Sequence, residues 1–156
     1  MRRKVTNRNI VGEDLKFNSV KVEKFVNYVM QEGKKVAARK IVYGALDIIK
    51  EKTKTEDPLL VLEEALKNSG PTMEVRSRRV GGANYQVPRE VRPERRQYLS
   101  MKWIVDGARA KKGTPMHMKL ADEIIAASKG EGEAVKKRDN THKMADANKA
   151  FAHFAW

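Results

Sequence analysis

The chain has 156 residues, a length that suits one domain with a moderate core, and its 40% hydrophobic content excludes a wholly disordered basic chain. It carries 33 Lys and Arg against 20 Asp and Glu, and a formal net charge of +13 is typical of a protein that binds a polyanion. The lack of Cys excludes disulfides and thiolate metal sites, and no membrane-length apolar run or signal-peptide core is present, so we expect an intracellular protein without a membrane span.

The first 16 residues are basic and show little apolar periodicity. Their charges lie near the start of the chain, at Arg2, Arg3, Lys4 and Arg8. Two interpretations remain open. The segment is either an extended arm that becomes ordered on a partner or a frayed terminus.

Three segments between residues 19 and 68 show apolar residues at helical spacing. Asp57-Pro58 gives the clearest start, because Asp caps a helix and Pro suits its first turn. The Gly-Lys-Lys sequence at 33–35 lacks the earlier Gly and the following Ser or Thr of a phosphate-binding loop. The pattern predicts a small bundle with helices at about 19–32, 35–52 and 58–68.

Two alternating runs flank a Gly pair between residues 75 and 91. Gly81-Gly82 can take positive φ, so the runs predict a β-hairpin with an Arg-rich surface. The guanidinium groups of these Arg residues can bind phosphate oxygens through paired hydrogen bonds. In the alternative interpretation they only protect the solvated strand edges from aggregation.

The register of this hairpin has two candidates. A two-residue turn would pair Arg78 with Tyr85, whereas a three-residue loop over 81–83 would pair Arg78 with Asn84 and Ser77 with Tyr85. We favour the three-residue loop, because it places apolar residues on one face and Arg, Asn and Gln on the other.

Three more helices are expected after the hairpin. They start at Pro93, at Thr114-Pro115 and near Glu133. Trp103 has apolar neighbours, which indicates a core position rather than a stacking platform. The apolar, aromatic stretch 148–156 either docks on the body or meets another molecule.

Together these patterns predict a mainly α, single-domain six-helix bundle over 17–156, preceded by a basic arm over 1–16, with a hairpin arm at about 73–91 between helices 3 and 4.

The sequence contains no recognisable catalytic motif. His117, His142 and His153 lie in separate contexts without metal-ligand spacing, and neither a nucleophile elbow nor a dinucleotide fingerprint is present. We expect no enzyme activity, no metal and no cofactor.

Three stretches together resemble a known family. They are SRRVGGANYQVPREVRPERR at 77–96, EGKK at 32–35 and EAVKKRDNTHKMADANKAFAHF at 133–154. The chain resembles bacterial ribosomal small-subunit protein S7 from about residue 15 to 156. Arg89 departs from the family pattern, in which Val is expected.

This resemblance implies a structural protein of the small ribosomal subunit in the cytoplasm. It implies a primary 16S rRNA binder that nucleates assembly of the head, in the 3′ major domain. Its arm would lie near the exit-site tRNA and the mRNA, with proteins S9, S11 and other head proteins as neighbours and no homo-oligomer. The resemblance also implies which residues contact RNA. The RNA-contact regions of the family correspond in this chain to Arg2, Arg3, Lys4, Arg8, Lys34, Lys35, Arg76, Arg78, Arg79, Asn84, Tyr85, Gln86, Arg92, Arg95 and Arg96, and also to Lys136, Lys137 and Arg138.

Two alternatives remain open from the residues alone. An architectural DNA-binding protein also uses an Arg-rich β-arm, although the Gly81-Gly82 tip lacks an apolar wedge for a base step. Tyr85 either stacks on a base or packs on Ser77 and the apolar face of the hairpin.

Overall fold

The computed structural model describes residues 10–154. The basic residues Arg2, Arg3, Lys4 and Arg8 lie outside this range. The predicted order of helices and hairpin is confirmed, and a short 3-10 helix, the C-terminal segment, follows the last α-helix. The elements are α1 (Val20–Val29), α2 (Lys35–Thr53), α3 (Pro58–Ser69), β1 (Met73–Val80), β2 (Ala83–Glu90), α4 (Pro93–Ala110), α5 (Met116–Ser128), α6 (Glu133–Ala147) and the C-terminal segment (Lys149–Phe154).

A local capping signal fixes the start of α3 but not the start of α5. The Asp57 carboxylate accepts a hydrogen bond from the Leu59 N–H at 2.9 Å, and Pro58 occupies the first turn of α3 as expected. The start of α5 differs from the prediction, because Pro115 stands at its N-cap and no side chain caps it. Thr114 therefore lies before the helix.

All six α-helices contribute to one apolar core. Phe25, Leu46, Leu62, Ile104 and Leu120 are at most 1% exposed and come from the first five helices. Helix α6 contributes smaller side chains, mainly Ala134 and Val135. Trp103 is 8% exposed and belongs to this core, so its predicted core position is confirmed. Among residues 10–154 no helix is both long enough and apolar enough to cross a membrane.

The hairpin adopts the two-residue turn, so the favoured three-residue loop was wrong. Gly81 and Gly82 have φ of 57° and 90°, the combination that a tight two-residue hairpin turn requires. The prediction assumed that apolar residues lie on one face of the hairpin only. It was wrong because both faces of the hairpin are covered at its base. Val87 and Pro88 point to opposite faces by strand alternation, and both are buried.

The helical body holds both ends of the hairpin. Val91 N–H donates to Thr72 O at 2.9 Å, which closes the ribbon at its base. Thr72 N–H in turn donates to Nε2 of His142 on α6 at 3.0 Å. The strands therefore leave the body from a fixed point beside α6.

A buried carboxylate fixes the chain before α1. Asp14 accepts the Tyr43 hydroxyl at 2.6 Å and the backbone N–H groups of Lys16 and Phe17 at 3.1 and 3.2 Å. Burial and this hydrogen bond to Asp14 raise the pKa of Tyr43. Asp14 is therefore anchored to α2 through Tyr43.

Candidate nucleic-acid interface

The hairpin exposes polar side chains on one face of its outer half. The register pairs Ser77 with Gln86 and Arg79 with Asn84, and cross-strand partners share a face. All four side chains are exposed, and none has a hydrogen bond or ion pair to the rest of the described chain. Arg79, Asn84 and Gln86 are therefore available to an external partner, and their contact with RNA stays a prediction.

Arg78 and Tyr85 lie on the opposite face and contact the C-terminal segment. Arg78 Nη1 donates to the carbonyl oxygen of Phe154 at 2.8 Å. The Tyr85 ring centroid lies 5.3 Å from that of Phe151 and 5.1 Å from that of Phe154. Tyr85 is half-buried and packs against these two rings, not against Ser77, which lies on the other face.

The carboxylate of Glu74 orients two Arg side chains at the hairpin base. Arg76 Nη2 lies 2.8 Å from Glu74 Oε1, and Arg95 Nε lies 3.3 Å from Oε2. The Glu74 side chain is 12% exposed, whereas the Arg76 and Arg95 side chains remain 58% and 45% exposed. Each guanidinium keeps further N–H groups for a phosphate. Arg92, two residues after β2, is exposed and has no side-chain partner within the described range.

Arg96 and Arg138 bind backbone carbonyls at the C-terminus of α3. Arg96 Nε donates to Gly70 O at 3.2 Å, and Arg138 Nη1 donates to Asn68 O at 2.5 Å. A Cβ at Gly70 would lie 2.9 Å from Arg96, so Gly at this position leaves room for the guanidinium. The two cations satisfy carbonyls that a helix end leaves without partners and lie at its negative pole.

We expect Arg138→Ala to lower the free energy of unfolding by about 1–2 kcal/mol, because it removes charge-assisted hydrogen bonds at this helix end. Urea denaturation measures the change. Lys143→Ala, which removes an exposed charge without a side-chain partner in the described chain, is the matched control and should change stability by less than about 0.5 kcal/mol. A normal stability together with a lower salt dependence of RNA binding would instead place Arg138 at the RNA.

The turn between α1 and α2 carries two Lys residues in different environments. Lys34 pairs with Glu32 at 2.6 Å, and both side chains are more than two-thirds exposed, with values of 71% and 75%. Lys35 pairs with the buried carboxylate of Glu23, which Arg39 also contacts at 3.1 Å. The hydrogen bond from Lys35 is the main cause that lowers the pKa of Glu23, against the opposing effect of burial. Lys35 therefore joins the first two helices, and Lys34 is the more available cation.

Lys136 and Lys137 lie on the exposed side of α6. Lys136 pairs with Glu133 at 2.8 Å, one turn earlier on the same helix. Lys137 Nζ lies 5.9 Å from the ring centroid of Trp103. A groove between α4 and α6 lies beside them, lined also by Asp106 and Asn140. Both ammonium groups remain accessible from this groove.

The sequence reasoning missed a basic face along α4. Tyr98, Lys102 and Arg109 follow Arg95 at helical spacing, so all four lie on one side of the helix. The guanidinium carbon of Arg95 and the Lys102 ammonium lie 5.0 and 5.7 Å from the Tyr98 ring centroid. Arg109 Nη2 donates to Val29 O at 3.2 Å, at the end of α1. The spacing of these residues was a signal that could have identified the face.

This face runs from the hairpin base, at Arg95, to the end of α1, where Arg109 contacts Val29. The 14 residue steps from Arg95 to Arg109 correspond to roughly 21 Å of helix at about 1.5 Å per step. Tyr28 of α1 packs edge-on against Tyr98, with ring centroids 5.6 Å apart, so α1 forms the wall beside the face. The arrangement is a row of cations with an aromatic pair at its centre, which suits a sugar–phosphate backbone with unpaired bases.

The described residues show no metal centre. No group of three His, Cys, Asp or Glu side chains in residues 10–154 could hold a metal ion. Of the three histidines, His142 is an acceptor for the backbone N–H of Thr72, and its position is explained by the hairpin base.

Comparisons with known proteins show the family of this chain. A family model described as Ribosomal protein S7p/S5e matches residues 1–149. The small ribosomal subunit protein uS7 of Thermotoga maritima is 56% identical over 156 residues, which cover 100% of both chains. Proteins of that name from Francisella philomiragia and Caldanaerobacter subterraneus are 59% identical over 143 residues and 61% identical over 140, covering 92% and 90% of this chain and 91% and 89% of theirs. The chain therefore belongs to the S7 family of small ribosomal subunit proteins, whose members bind ribosomal RNA and take part in translation.

Proposed function

We propose that this chain is a primary binder of 16S rRNA that nucleates assembly of the head of the small subunit, in the 3′ major domain. The observation that supports this most strongly is the number of exposed cations on the hairpin, at its base and along α4. They include Arg79 on the hairpin, Arg92 and Arg95 at its base and Lys102 on α4. The protein acts in the cytoplasm as a structural constituent and not as an enzyme or a homo-oligomer.

The binding mode follows from the chemistry of these residues. Side chains cannot easily enter the deep major groove of an RNA helix, so phosphates, sugar hydroxyls and unpaired bases are the accessible groups. Exposed guanidinium and ammonium groups bind phosphates, and exposed amides such as Asn84 and Gln86 bind base edges or sugars. Arg96 and Arg138 also bind carbonyls at the C-terminal end of α3, and Lys35 also joins α1 to α2, so these three cations have a structural role beside any contact with RNA.

Residues 1–16 form a second RNA-binding element in this proposal. Arg2, Arg3, Lys4 and Arg8 provide four cations within eight residues. Asp14, near the end of this segment, accepts a hydrogen bond from Tyr43 of α2. The hairpin arm is proposed to lie near the exit-site tRNA and the mRNA, with proteins S9 and S11 as neighbours.

The test is binding of the purified chain to the 3′ major domain of 16S RNA over a salt series, with duplex DNA as competitor. We expect tight binding that resists excess DNA and weakens steeply with salt. Adding other head proteins before and after this chain tests assembly, because a nucleating protein must be present before they bind. Equal competition by duplex DNA would contradict the proposal and favour the architectural DNA-binding alternative.

A further inference from the structure

The two faces of the hairpin arm have different surroundings. Arg79 and Asn84 form a cross-strand pair on the exposed face. Arg78 and Tyr85 form the neighbouring pair on the opposite face, which is covered by the C-terminal segment. Because alternate residues of a strand point to opposite sides, one ribbon can bind the body with one face and a partner with the other.

Asn148 redirects the chain from α6 toward the hairpin. Its side-chain amide donates to Met144 O at 2.7 Å and its backbone N–H donates to the same oxygen at 3.2 Å, which ends α6. Phe151 N–H then donates to Asn148 O at 2.9 Å and starts the 3-10 turn. The two Phe rings that follow stack at 6.4 Å with an interplanar angle of 11°, and both reach Tyr85.

These contacts cover a face of the hairpin that would be exposed if the hairpin were isolated. A two-stranded hairpin alone in water is marginally stable at best, because it has no third element to cover an apolar face. The three rings of Tyr85, Phe151 and Phe154 provide that cover in the outer half of the arm, and the Arg78 guanidinium is bound to the carbonyl of Phe154. The hairpin is therefore held along its length and not only at its base.

We infer that the C-terminal segment is a positioning element for the arm, and that Phe151 and Phe154 act through Tyr85 to set the direction in which Arg79 and Asn84 face the RNA. This inference rests on the proposed function, in which the arm contacts RNA. A competing role is a removable cover, in which the two Phe rings occupy a place on Tyr85 that a nucleobase would take. The exposed pair on the opposite face favours positioning, because RNA can reach it without displacing the segment.

The test is the double variant Phe151→Ala, Phe154→Ala in the full chain, with Ala152→Ser as the matched control in the same segment. Amide hydrogen exchange should become at least about tenfold faster in β1 and β2 and stay unchanged in α2 and α4, because local opening reports local contacts. Chemical footprinting on the 3′ major domain RNA should lose protection at the arm and keep protection at the helical body. Phe151→Tyr, Phe154→Tyr keeps the rings and should restore both readouts.

Each outcome decides between the roles. Unchanged exchange in the strands would overturn the inference, because the rings would not hold the arm. Faster exchange with unchanged or stronger protection at the arm would also overturn it and establish the removable cover. If wild-type protein does not bind the RNA, the proposed function fails, while hydrogen exchange still shows whether the segment holds the hairpin. The single Phe154→Ala variant gives the same readouts if the double variant does not fold.

Discussion

Replacing Glu123 by Ala is expected to lower the free energy of unfolding by about 3 kcal/mol, the largest stability effect that we predict for a single side chain. Glu123 is fully buried on α5, where it joins three helices. Its Oε1 accepts the N–H of Ala134, in the first turn of α6, at 3.1 Å. Its Oε2 lies 2.7 Å from Lys111 Nζ, at the end of α4, as an ionic partner without good hydrogen-bond geometry.

Two glycines leave room for the Glu123 carboxylate. A Cβ at Gly132 would lie 2.9 Å from Oε1, and a Cβ at Gly107 would lie 3.1 Å from the same atom. Gly132 also has a φ of 96°, which side-chain-bearing residues rarely adopt. Truncation to Ala leaves the first turn of α6 without its acceptor and leaves a cavity that these two glycines cannot fill.

Urea and thermal denaturation measure the effect of Glu123→Ala. For a chain of this size about 3 kcal/mol corresponds to a fall in Tm of roughly 6–12 °C. Glu123→Gln keeps an acceptor for Ala134 and loses the ion pair, so its effect should be smaller. Glu131→Ala removes a nearby exposed carboxylate and should change stability by less than about 0.5 kcal/mol. A loss below about 1 kcal/mol for Glu123→Ala would show that the buried carboxylate does not hold the three helices together.

Removing three exposed cations from the proposed interface is expected to weaken RNA binding by roughly 10²-fold at about 0.1 M salt and to reduce the salt slope by about three units. The reason is that each cation that meets a phosphate releases about one counterion. The free energy of unfolding should stay within about 0.5 kcal/mol of the wild-type value, because these side chains are exposed and two of them have no side-chain partner in residues 10–154. The substitutions are Arg79→Ala, Arg92→Ala and Lys102→Ala.

The control removes the same number of positive charges near the C-terminal ends of α2 and α5. All three of its side chains are exposed, and one of them, Lys52, pairs with Asp122 at 2.7 Å. The salt slope of this control should stay close to that of the wild type. An equal loss in both variants would mean that the net charge acts as a uniform field and that no specific interface exists on α4 and the hairpin. The control substitutions are Lys50→Ala, Lys52→Ala and Lys129→Ala.

Much of the fold followed from local signals in the sequence. Asp57-Pro58 predicted the start of α3, and Gly81-Gly82 predicted the hairpin, because caps and positive φ depend on neighbouring residues alone. Helical periodicity likewise located the six helices and the core position of Trp103. The resemblance to the S7 family rested on contiguous motifs, which need no folded structure to be read.

The site was less predictable, because a cation looks the same in sequence whether its partner is inside or outside the protein. Lys35 and Arg138 stay predicted RNA contacts, but the structure shows an internal partner for each: Lys35 binds a buried carboxylate, and Arg138 binds a carbonyl at the end of α3. In contrast, Lys102 and Arg109 were not identified, although their spacing from Arg95 placed them on its side of α4. Exposure decides availability, and exposure depends on how the helices pack.

The sequence by itself therefore determined the elements, their order, the excess positive charge and the family, since all of these arise from composition and from residues close along the chain. Only the tertiary structure decided which cations are available, which register the hairpin takes and what Tyr85 contacts. The deciding contacts join Arg138 to Asn68 and Arg78 to Phe154, which are 70 and 76 residues apart. Such contacts form only when the packed body brings distant segments together, so no local pattern encodes them.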